Sequence, residues 1–450
     1  MPAFSTLQRS GFSGGGHLFN ASVTASLQAL GSAEARFGNR YVHYQQGGAA
    51  TGFNGEKPYR EHIFPEDRLR LLALFRYWNV IHFFYPHHSL LDRPWEEELL
   101  TFIPLFVAAS DAAAYHATVA RLVARINDSH GAATSPLLNY GQKRSIPFEV
   151  AIVEGKAVVA KAINSSLARE SLLQAGDVIL ERNGMPITVL LDSLRSFHGA
   201  SNEEALLEKL APLLLYVDGP QVNLLVQRSR EQLVLREKTY LGKEIYSQQL
   251  TPGLPSWEKL KNNIGYIDLR RLKITEIAPA METLMACPVI IFDLRGYPEF
   301  LLYDLAAYLL PTARHFAKLV FADLDYPGSF RVGLLPPAGP ARPKQEYYKG
   351  KVVVLIDQKT LSRAEFTAMA LQAVPGATLI GSPTAGADGT NTHIALPGGI
   401  ITSFSCQGIL YPDGKPTQGK GIQPHISVKP TIAGIKNGKD EVLNNSSCGI

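Results

Sequence analysis

The chain has 450 residues, of which 46% are hydrophobic and 19% are charged, and its formal net charge is +4 at neutral pH. This length and composition are typical of a globular protein with about two to four domains and a large core. The charge is small for the length and the basic residues are dispersed, which disfavours nucleic acid and acidic membrane surfaces as partners. No apolar run reaches the roughly 18–20 residues that a membrane-spanning helix requires, so we expect no membrane span.

Residues 1–63 are rich in glycine, serine and aromatic residues without clear periodicity. They predict either a lead-in or a fragment of a small β domain. Their start has no basic segment followed by an apolar one, as a signal peptide would have. Cys287, Cys406 and Cys448 favour buried thiols over a disulfide framework. Since no cysteine and histidine cluster has the spacing of a zinc site, we expect no metal and no other cofactor.

Residues 64–145 have the pattern of a helical region, with two or three helices between Pro65 and Ile126. Its aromatic residues, such as Trp78, predict packing against the core rather than a ligand site. The helical pattern ends at the sequence N-D-S-H-G, which places His130 in a loop. A neutral imidazole there is suited to act as a general base, but a histidine that only bonds to a carbonyl would give the same pattern.

Residues 146–245 alternate short apolar runs with turns, as in a small α+β module. The pattern predicts strands at Phe148–Val153 and Val222–Val226 and a leucine-rich helix at about Glu203–Leu214. The proline-containing stretch Gln249–Lys261 reads as a connector into the next region.

From Ile264 onwards strands and helices alternate, which predicts an α/β domain with parallel strands and crossover helices. The predicted strands and helices are, in order, Gly265–Leu269, Val289–Leu294, Leu301–Leu310, Val352–Ile356, Ala364–Val374 and Thr378–Gly381. In such sheets, ligands bind at the carboxyl ends of the strands. Segments 295–299 and 357–362 both follow such ends, so we expect a site between them.

Ser362 lies where the apolar strand Val352–Ile356 passes into a helix. This position lifts a hydroxyl out of the sheet and puts it beside free N–H groups, which can stabilise a developing oxyanion. The sequence therefore makes Ser362 a candidate nucleophile. The alternative is that Ser362 only caps the helix, with Glu365 completing a capping box.

Several ordered segments resemble motifs of the family of C-terminal processing peptidases, tail-specific proteases and tricorn-core serine peptidases, over roughly residues 64–445. Besides the segments around His130 and Ser362, they are Arg68–Pro86, Leu173–Gly184 (L-Q-A-G-D-V-I-L-E-R-N-G), Gly265–Leu269 (G-Y-I-D-L), Val289–Gly296 (V-I-I-F-D-L-R-G) and Thr417–Ile426 (T-Q-G-K-G-I-Q-P-H-I). The resemblance implies the α/β class, with a crotonase/ClpP-like catalytic core. This core would span residues 246–445, after a lead-in (1–63), an N-terminal helical region (64–145) and a PDZ-like α+β domain (146–245).

The resemblance also implies a serine endopeptidase that cleaves unfolded polypeptides or exposed C-termini through an acyl-enzyme. Ser362 would be the nucleophile and His130 the general base, with the Ser129 hydroxyl assisting the orientation of the imidazole. One branch of the family uses a lysine base instead. Ala387 stands at that position here, so a serine–lysine dyad is not expected.

Gln418 occupies the place of the glutamate that forms the third member of the site in the tricorn type. An amide can fix the tautomer of an imidazole but cannot stabilise the imidazolium as a carboxylate does. The resemblance therefore implies slow catalysis, unless Asp128 or Asp388 reaches the ring instead.

The backbone N–H groups of Arg363 and Glu299 are the expected oxyanion donors. Glu299 and Phe300 stand where the family has glycines, and Pro298 has no N–H to donate. A glycine would permit an unusual backbone angle or a close approach of the substrate. This departure favours a second interpretation, a non-catalytic protein on the same fold that binds peptides or an apolar ligand.

Retention of Ser129, His130 and Ser362 together opposes the non-catalytic interpretation. A third interpretation is an esterase that acts on small molecules. In such an enzyme the PDZ-like region would have no evident use. The expected partners are unfolded protein or peptide substrates and no nucleic acid. Family resemblance favours an extracytoplasmic location, periplasmic or secreted, while the oligomeric state is not indicated by the sequence.

Overall fold

The structure is a computed structural model that describes residues 5–7, 41–45, 48–138, 143–248, 255–340 and 346–448. Much of the predicted lead-in, residues 1–4 and 8–40, lies outside the described residues. The α-helices are α1 (Asp67–Phe84), α2 (Trp95–Ala108), α3 (Ala112–Ala124), α4 (Ser165–Ala168), α5 (Ile187–Arg195), α6 (Glu203–Leu210), α7 (Gly242–Ile245), α8 (Ile277–Leu284), α9 (Leu302–Leu309), α10 (Arg363–Gln372), α11 (Ile432–Lys436) and α12 (Glu441–Cys448).

The β-strands form several sheets and follow one another along the chain. They are β1 (Ser5–Leu7), β2 (Val42–Tyr44), β3 (Thr51–Phe53), β4 (Ala132–Thr134), β5 (Arg144–Ser145), β6 (Phe148–Val153), β7 (Lys156–Ala162), β8 (Val178–Arg182), β9 (Met185–Pro186), β10 (Gln221–Arg228), β11 (Glu231–Lys238), β12 (Tyr240–Leu241), β13 (Trp257–Leu260), β14 (Ile264–Asp268), β15 (Val289–Asp293), β16 (Lys318–Ala322), β17 (Phe330–Leu334), β18 (Lys351–Ile356), β19 (Thr378–Gly381), β20 (Asn391–Leu396), β21 (Ile400–Ser405), β22 (Gln407–Leu410) and β23 (Ile426–Ser427).

Helices α1 to α3 form the helical region and share one aromatic core with strand β21. The predicted packing of aromatic residues is confirmed: Trp78 lies against this core and donates from its indole to the carbonyl of Trp95 at 2.9 Å. The second half of the predicted helical stretch, from Trp95 onwards, is divided into the two helices α2 and α3. The break comes where the Asp111 carboxylate caps α3 by accepting from the N–H of Ala114 at 2.8 Å.

The α+β region is a sheet in the order β11–β10–β8–β7–β6, packed against α5 and α6. Both predicted strands are present, and the predicted helix at Glu203–Leu214 ends as an α-helix at Leu210. Residues Ala211–Leu215 continue as a 3-10 turn. Pro212 accounts for the change, because proline has no N–H and its ring clashes with the preceding turn of an α-helix.

The core is a sheet in the order β13–β14–β15–β18–β19–β23, parallel from β14 to β23. All predicted core strands and helices are present, with ends that differ by at most two residues. The prediction that Gln249–Lys261 is a connector was wrong in one respect, since Trp257–Leu260 is strand β13, which pairs antiparallel with β14. Four residues with two central charges, W-E-K-L, are too short to show the alternation of an edge strand.

A smaller sheet joins the helical region to the core. Strand β21 pairs with β20 and, on its other side, with β4, so that Ser403 lies opposite Ala132. Because β4 begins just after His130, this pairing fixes the histidine loop beside the end of β21. The predicted buried thiols Cys287 and Cys406 are buried and unpaired. Among the residues described, no helix combines the length and the apolar character needed to cross a membrane.

Candidate active site

The turn that carries Ser362 has an unusual backbone. Ser362 has φ 56° and ψ −121°, between the end of β18 and the start of α10. A residue with a side chain rarely adopts positive φ, and such strain persists where the surroundings enforce it. Thr360 is one such support, since its hydroxyl accepts from the N–H of Asp357 at 3.0 Å and donates to the carbonyl of Leu294 at 2.9 Å. A strained turn from strand to helix presents a nucleophile in other hydrolases.

Of the two hydrogen bonds of the expected capping box at Ser362, only the one accepted by Glu365 is present. The Glu365 carboxylate accepts from the N–H of Ser362 at 3.2 Å, but the Ser362 hydroxyl makes no cap bond and lies 3.5 Å from the carbonyl of Gly389. Glu365 also accepts from the N–H groups of Gly386 and Ala387. Burial raises the pKa of Glu365 to about 7, and these hydrogen bonds oppose the rise. Glu365 thus stabilises the turn through backbone N–H groups and leaves the Ser362 hydroxyl free of any cap bond.

His130 is held at three points of its loop. Its N–H donates to Asp128 at 3.0 Å, its carbonyl accepts from the Ser403 hydroxyl at 2.7 Å, and its Nδ1 lies 2.9 Å from the Ser405 hydroxyl. Burial lowers the pKa of His130 below its ordinary value, Lys209 lowers it further, and Asp128 raises it. The imidazole is therefore neutral at neutral pH, which is the form that a general base requires.

The loops of Ser362 and His130 both contact one short turn of the core. The Ser129 hydroxyl donates to the carbonyl of Ala385 at 3.0 Å, and the N–H of Ser362 donates to the carbonyl of Ala387 at 3.1 Å. The Ser362 hydroxyl and the His130 imidazole share no hydrogen bond in this arrangement of the described residues. In free enzymes such bonds are often long and tighten only with substrate.

Ser129 and Gln418, the other two residues expected at the imidazole, contact other groups. Ser129 exchanges two hydrogen bonds with Ser201, each at 3.0 Å and each from a backbone N–H to a hydroxyl. The Gln418 amide donates to Asp128 and to Ser201, both at 3.2 Å. Neither Ser129 nor Gln418 therefore bonds to the ring of His130: Ser129 contacts Ala385 and Ser201, and the Gln418 amide contacts Asp128 and Ser201.

The two expected oxyanion donors lie on segments that are tied together. The Arg363 guanidinium donates to the carbonyl of Pro298 at 3.4 Å and stands 5.3 Å above the ring of Tyr297. The Glu299 side chain pairs with Lys273 at 2.6 Å. Within the described part of the chain, neither backbone N–H of Arg363 or Glu299 has an acceptor, which leaves both able to bind an oxyanion.

Two sequence models match parts of this architecture. Residues 142–252 match a PDZ domain, and residues 310–428, which include the Ser362 turn, match peptidase family S41. The part of the core from residue 310 to residue 428 is thus similar to peptidase family S41. The expected serine-type peptidase with a PDZ domain is confirmed by these two matches. No curated protein sequence matches this chain.

Several solved structures share this fold over most of the chain. Mature CPAF is 16% identical, with a TM-score of 0.63 over 84% of this chain and 96% of that one. Its complex with lactacystin is 15% identical, with a TM-score of 0.62 over 84% of this chain and 97% of that one. A Parabacteroides merdae protein described as a peptidase is 14% identical, with a TM-score of 0.53 over 85% and 96%. These likenesses, together with the PDZ match, confirm the expected α/β fold with its PDZ domain.

Residues to which the sequence assigned no role at the imidazole, or only an alternative one, also lie near it. Ser405 lies at the end of β21, and Lys209 lies on α6 of the PDZ domain. The sequence offers Asp128 only as an alternative to Gln418. A buried serine in a strand and a lysine on a helix are too common to attract attention, so no local signal identifies them. No three histidine, cysteine, aspartate or glutamate side chains within the described ranges could together hold a metal ion.

Proposed function

We propose that this peptidase is a serine endopeptidase in which Ser362 is the nucleophile and His130 the general base. The observation that carries the proposal is the backbone of Ser362, whose φ of 56° is held by a buried carboxylate while the hydroxyl caps nothing. A helix-capping serine has no need of this conformation, because caps favour extended backbone. The neutral imidazole of His130 on the neighbouring loop supplies the base that a serine hydroxyl requires.

The chemistry follows from these positions. The Ser362 hydroxyl turns from Gly389 towards His130, gives its proton to the imidazole and attacks the peptide carbonyl. The oxygen of the tetrahedral intermediate binds the N–H groups of Arg363 and Glu299. The imidazolium then protonates the leaving amine, and an acyl-enzyme forms at Ser362. Water, deprotonated by the same imidazole, attacks the ester carbonyl and releases the acid.

The PDZ domain supports unfolded chains or exposed C-termini as substrates. PDZ domains take up an extended peptide as an added strand and hold a terminal carboxylate on backbone N–H groups. The sheet in which such a strand would be added ends in β6 and β11, and its helix α6 reaches the loop of His130 through Lys209, which donates to the carbonyl of Gly131 at 3.0 Å. A peptide bound on this domain would therefore lie close to the loop of His130.

Degradation of an unfolded protein with a free C-terminus tests the proposed function. We expect the wild type to cleave it and Ser362→Ala to lose activity by about 10⁴-fold or more. Ser382→Ala is a matched control, since its hydroxyl only donates to the Gln358 amide oxygen at 3.1 Å on the neighbouring turn. Cleavage that survives in Ser362→Ala contradicts the proposal. A wild type that binds the substrate without cleaving it supports the non-catalytic alternative.

We also infer, from the family resemblance, that the protein acts outside the cytoplasm. Fractionation of cells that express the gene at its natural level tests this inference. Recovery in the periplasmic or secreted fraction supports it, and recovery in the cytoplasm alone contradicts it.

A further inference from the structure

The Asp128 carboxylate, in the loop of His130, accepts four hydrogen bonds. It is fully buried and accepts from the N–H and the hydroxyl of Ser405, at 2.6 and 2.9 Å. It also accepts from the N–H of His130 at 3.0 Å and from the amide of Gln418 at 3.2 Å. All four of these groups donate, so the Asp128 carboxylate acts only as an acceptor in this network.

The hydroxyl of Ser405 links this anion to the imidazole. It has one hydrogen, and because ionised Asp128 can only accept, that hydrogen points to the carboxylate. The Ser405 oxygen must then accept from Nδ1 of His130, at 2.9 Å. Nδ1 therefore carries the proton of the neutral ring and Nε2 keeps its lone pair. This is the tautomer that can take a proton from a nucleophile on the Nε2 side.

We propose that Asp128, acting through the hydroxyl of Ser405, is the acidic member of this active site and fixes the tautomer of His130. Asp128 and Ser405 are thus positioning residues for the reaction proposed above, on which this inference rests. Gln418, at the place where the family has a glutamate, holds Asp128 and does not act on the ring.

The amide of Gln418 is complementary to Asp128 and explains the departure from the family pattern. Its Nε2 lies 3.2 Å from a carboxylate oxygen of Asp128. A glutamate side chain there would face a second anion in a buried site, and one of the two carboxyls would have to be protonated. Once Asp128 supplies the negative charge, a neutral donor is the residue that fits at position 418.

Three titratable groups act on the imidazole from the surrounding segments. They are Asp128 of its own loop, Lys209 of the PDZ domain, and His87, which follows α1. Burial lowers the pKa of His87 to about 4, so this ring is neutral near pH 7 and adds no charge. The Asp128 anion is therefore the group that stabilises the imidazolium formed when His130 accepts the proton of the nucleophile.

Nitrogen NMR of histidine-labelled resting protein tests the inference, with His130→Gln used to assign the signal. Ser405→Ala removes the acceptor of Nδ1, and we expect His130 to change from the Nδ1–H tautomer to a mixture containing Nε2–H. Asp128→Asn removes the charge, and we expect the pKa of His130 to fall by about 1 pH unit. The acidic limb of kcat/KM should move down with it, and kcat should fall about 10²-fold or more while KM stays the same.

Thr402→Val is the matched control, since its hydroxyl lies on the same strand and donates to the carbonyl of Ile394 at 3.4 Å. The tautomer and pKa of His130 should be unchanged in it. The inference is overturned if Ser405→Ala and Asp128→Asn both leave the tautomer and the pKa as in the wild type. It is also overturned if Gln418→Glu raises kcat/KM and if Asp128→Asn, added to that variant, lowers kcat/KM no further.

The NMR measurement separates this inference from the proposed function, because it needs no turnover. A wild type that cleaves no substrate but shows the Nδ1–H tautomer, lost in Ser405→Ala, contradicts the proposed function and supports the positioning role. If Asp128→Asn does not fold, Ser405→Ala alone decides, because removal of one buried oxygen leaves the strand intact.

Discussion

Lys209 brings a partly buried positive charge from the PDZ domain to the loop of His130. Its ammonium donates to the carbonyls of Gly131 and Gly199, at 3.0 and 2.8 Å. Burial lowers the pKa of Lys209 to about 8, while Asp128 opposes this effect. The ammonium disfavours protonation of His130 and so helps to keep the base in its reactive form.

Lys209→Gln should shift the pH dependence of catalysis. The amide can still donate to a carbonyl, but the charge is gone, so the imidazolium is stabilised and the pKa of His130 rises. Since the base must be neutral, the acidic limb of kcat/KM should move to higher pH, opposite to the shift expected for Asp128→Asn. A pH profile of kcat/KM measures this. The control is Lys436→Gln, which removes a surface lysine bonded to Ser229, and an unmoved limb in Lys209→Gln contradicts the account.

At the scale of the element, the turn between β18 and α10 stores strain at one residue. Alanine at position 362 retains a Cβ at φ 56°, whereas glycine adopts this angle at little cost. We expect Ser362→Gly to have a free energy of unfolding about 1 kcal/mol higher than Ser362→Ala, after the entropy cost of glycine is included. Urea unfolding of the two inactive variants measures the difference. A glycine variant less stable than the alanine variant would show that the turn is unstrained.

The same turn shows how far the sequence predicts this site. The apolar strand, the polar turn and the helix around Ser362 are local patterns, so the sequence was enough to place the hydroxyl at a helix start. The bond between His130 and Ser405 joins residues 275 positions apart, through the pairing of β4 with β21. Nothing in the local sequence of either segment indicates that the two segments pair. Local sequence patterns could therefore not identify Ser405 as the partner of the imidazole.

Gln418 lies near the site as predicted, but its amide contacts a different residue from the one expected. The sequence identified it as a departure from the family and gave its amide the imidazole as partner. Its actual partner, Asp128, precedes it by 290 positions and lies beside the residue that the amide was expected to bind. Composition and spacing determine which side chains approach the site, whereas contacts within it depend on packing between separate regions.

At the scale of the molecule, three regions of the chain meet at the site. The helical region ends in Asp128 and His130, the core supplies Ser362 and Ser405, and the PDZ domain supplies Lys209. Further contacts join the PDZ domain to the nucleophile turn, since Lys359 pairs with Glu149 and Glu208 and the Gln358 amide donates to Glu208 at 3.2 Å. The environment of the base is therefore complete only when the PDZ domain is in place.

Acid should destabilise the whole chain partly through His87, a side chain that is 5% exposed. Burial lowers its pKa from 6.5 to about 4, against the opposing effects of Asp128 and the backbone of Gln407. Between these values the unfolded chain binds a proton that the folded chain does not. Stability is therefore full above pH 6.5 and is lost as pH falls towards 4, by about 3 kcal/mol for this group.

His87→Gln should flatten this dependence, because the variant has no imidazole to protonate. The measurement is the free energy of unfolding at a series of pH values below neutrality, in the variant and the wild type. His62→Gln, at an exposed position, is the control and should keep the slope of the wild type. An equal slope in His87→Gln would mean that another group causes the acid sensitivity.

Covalent capture of the nucleophile tests the central claim, that Ser362 is activated by His130, most directly. The protein is incubated with a fluorophosphonate, which phosphonylates activated serines, and the modified residue is located by mass spectrometry. We predict a single adduct on Ser362 in the wild type, none at that position in Ser362→Ala, and labelling slower by about 10³-fold or more in His130→Ala. Labelling of a different serine, or an undiminished rate in His130→Ala, would contradict the claim.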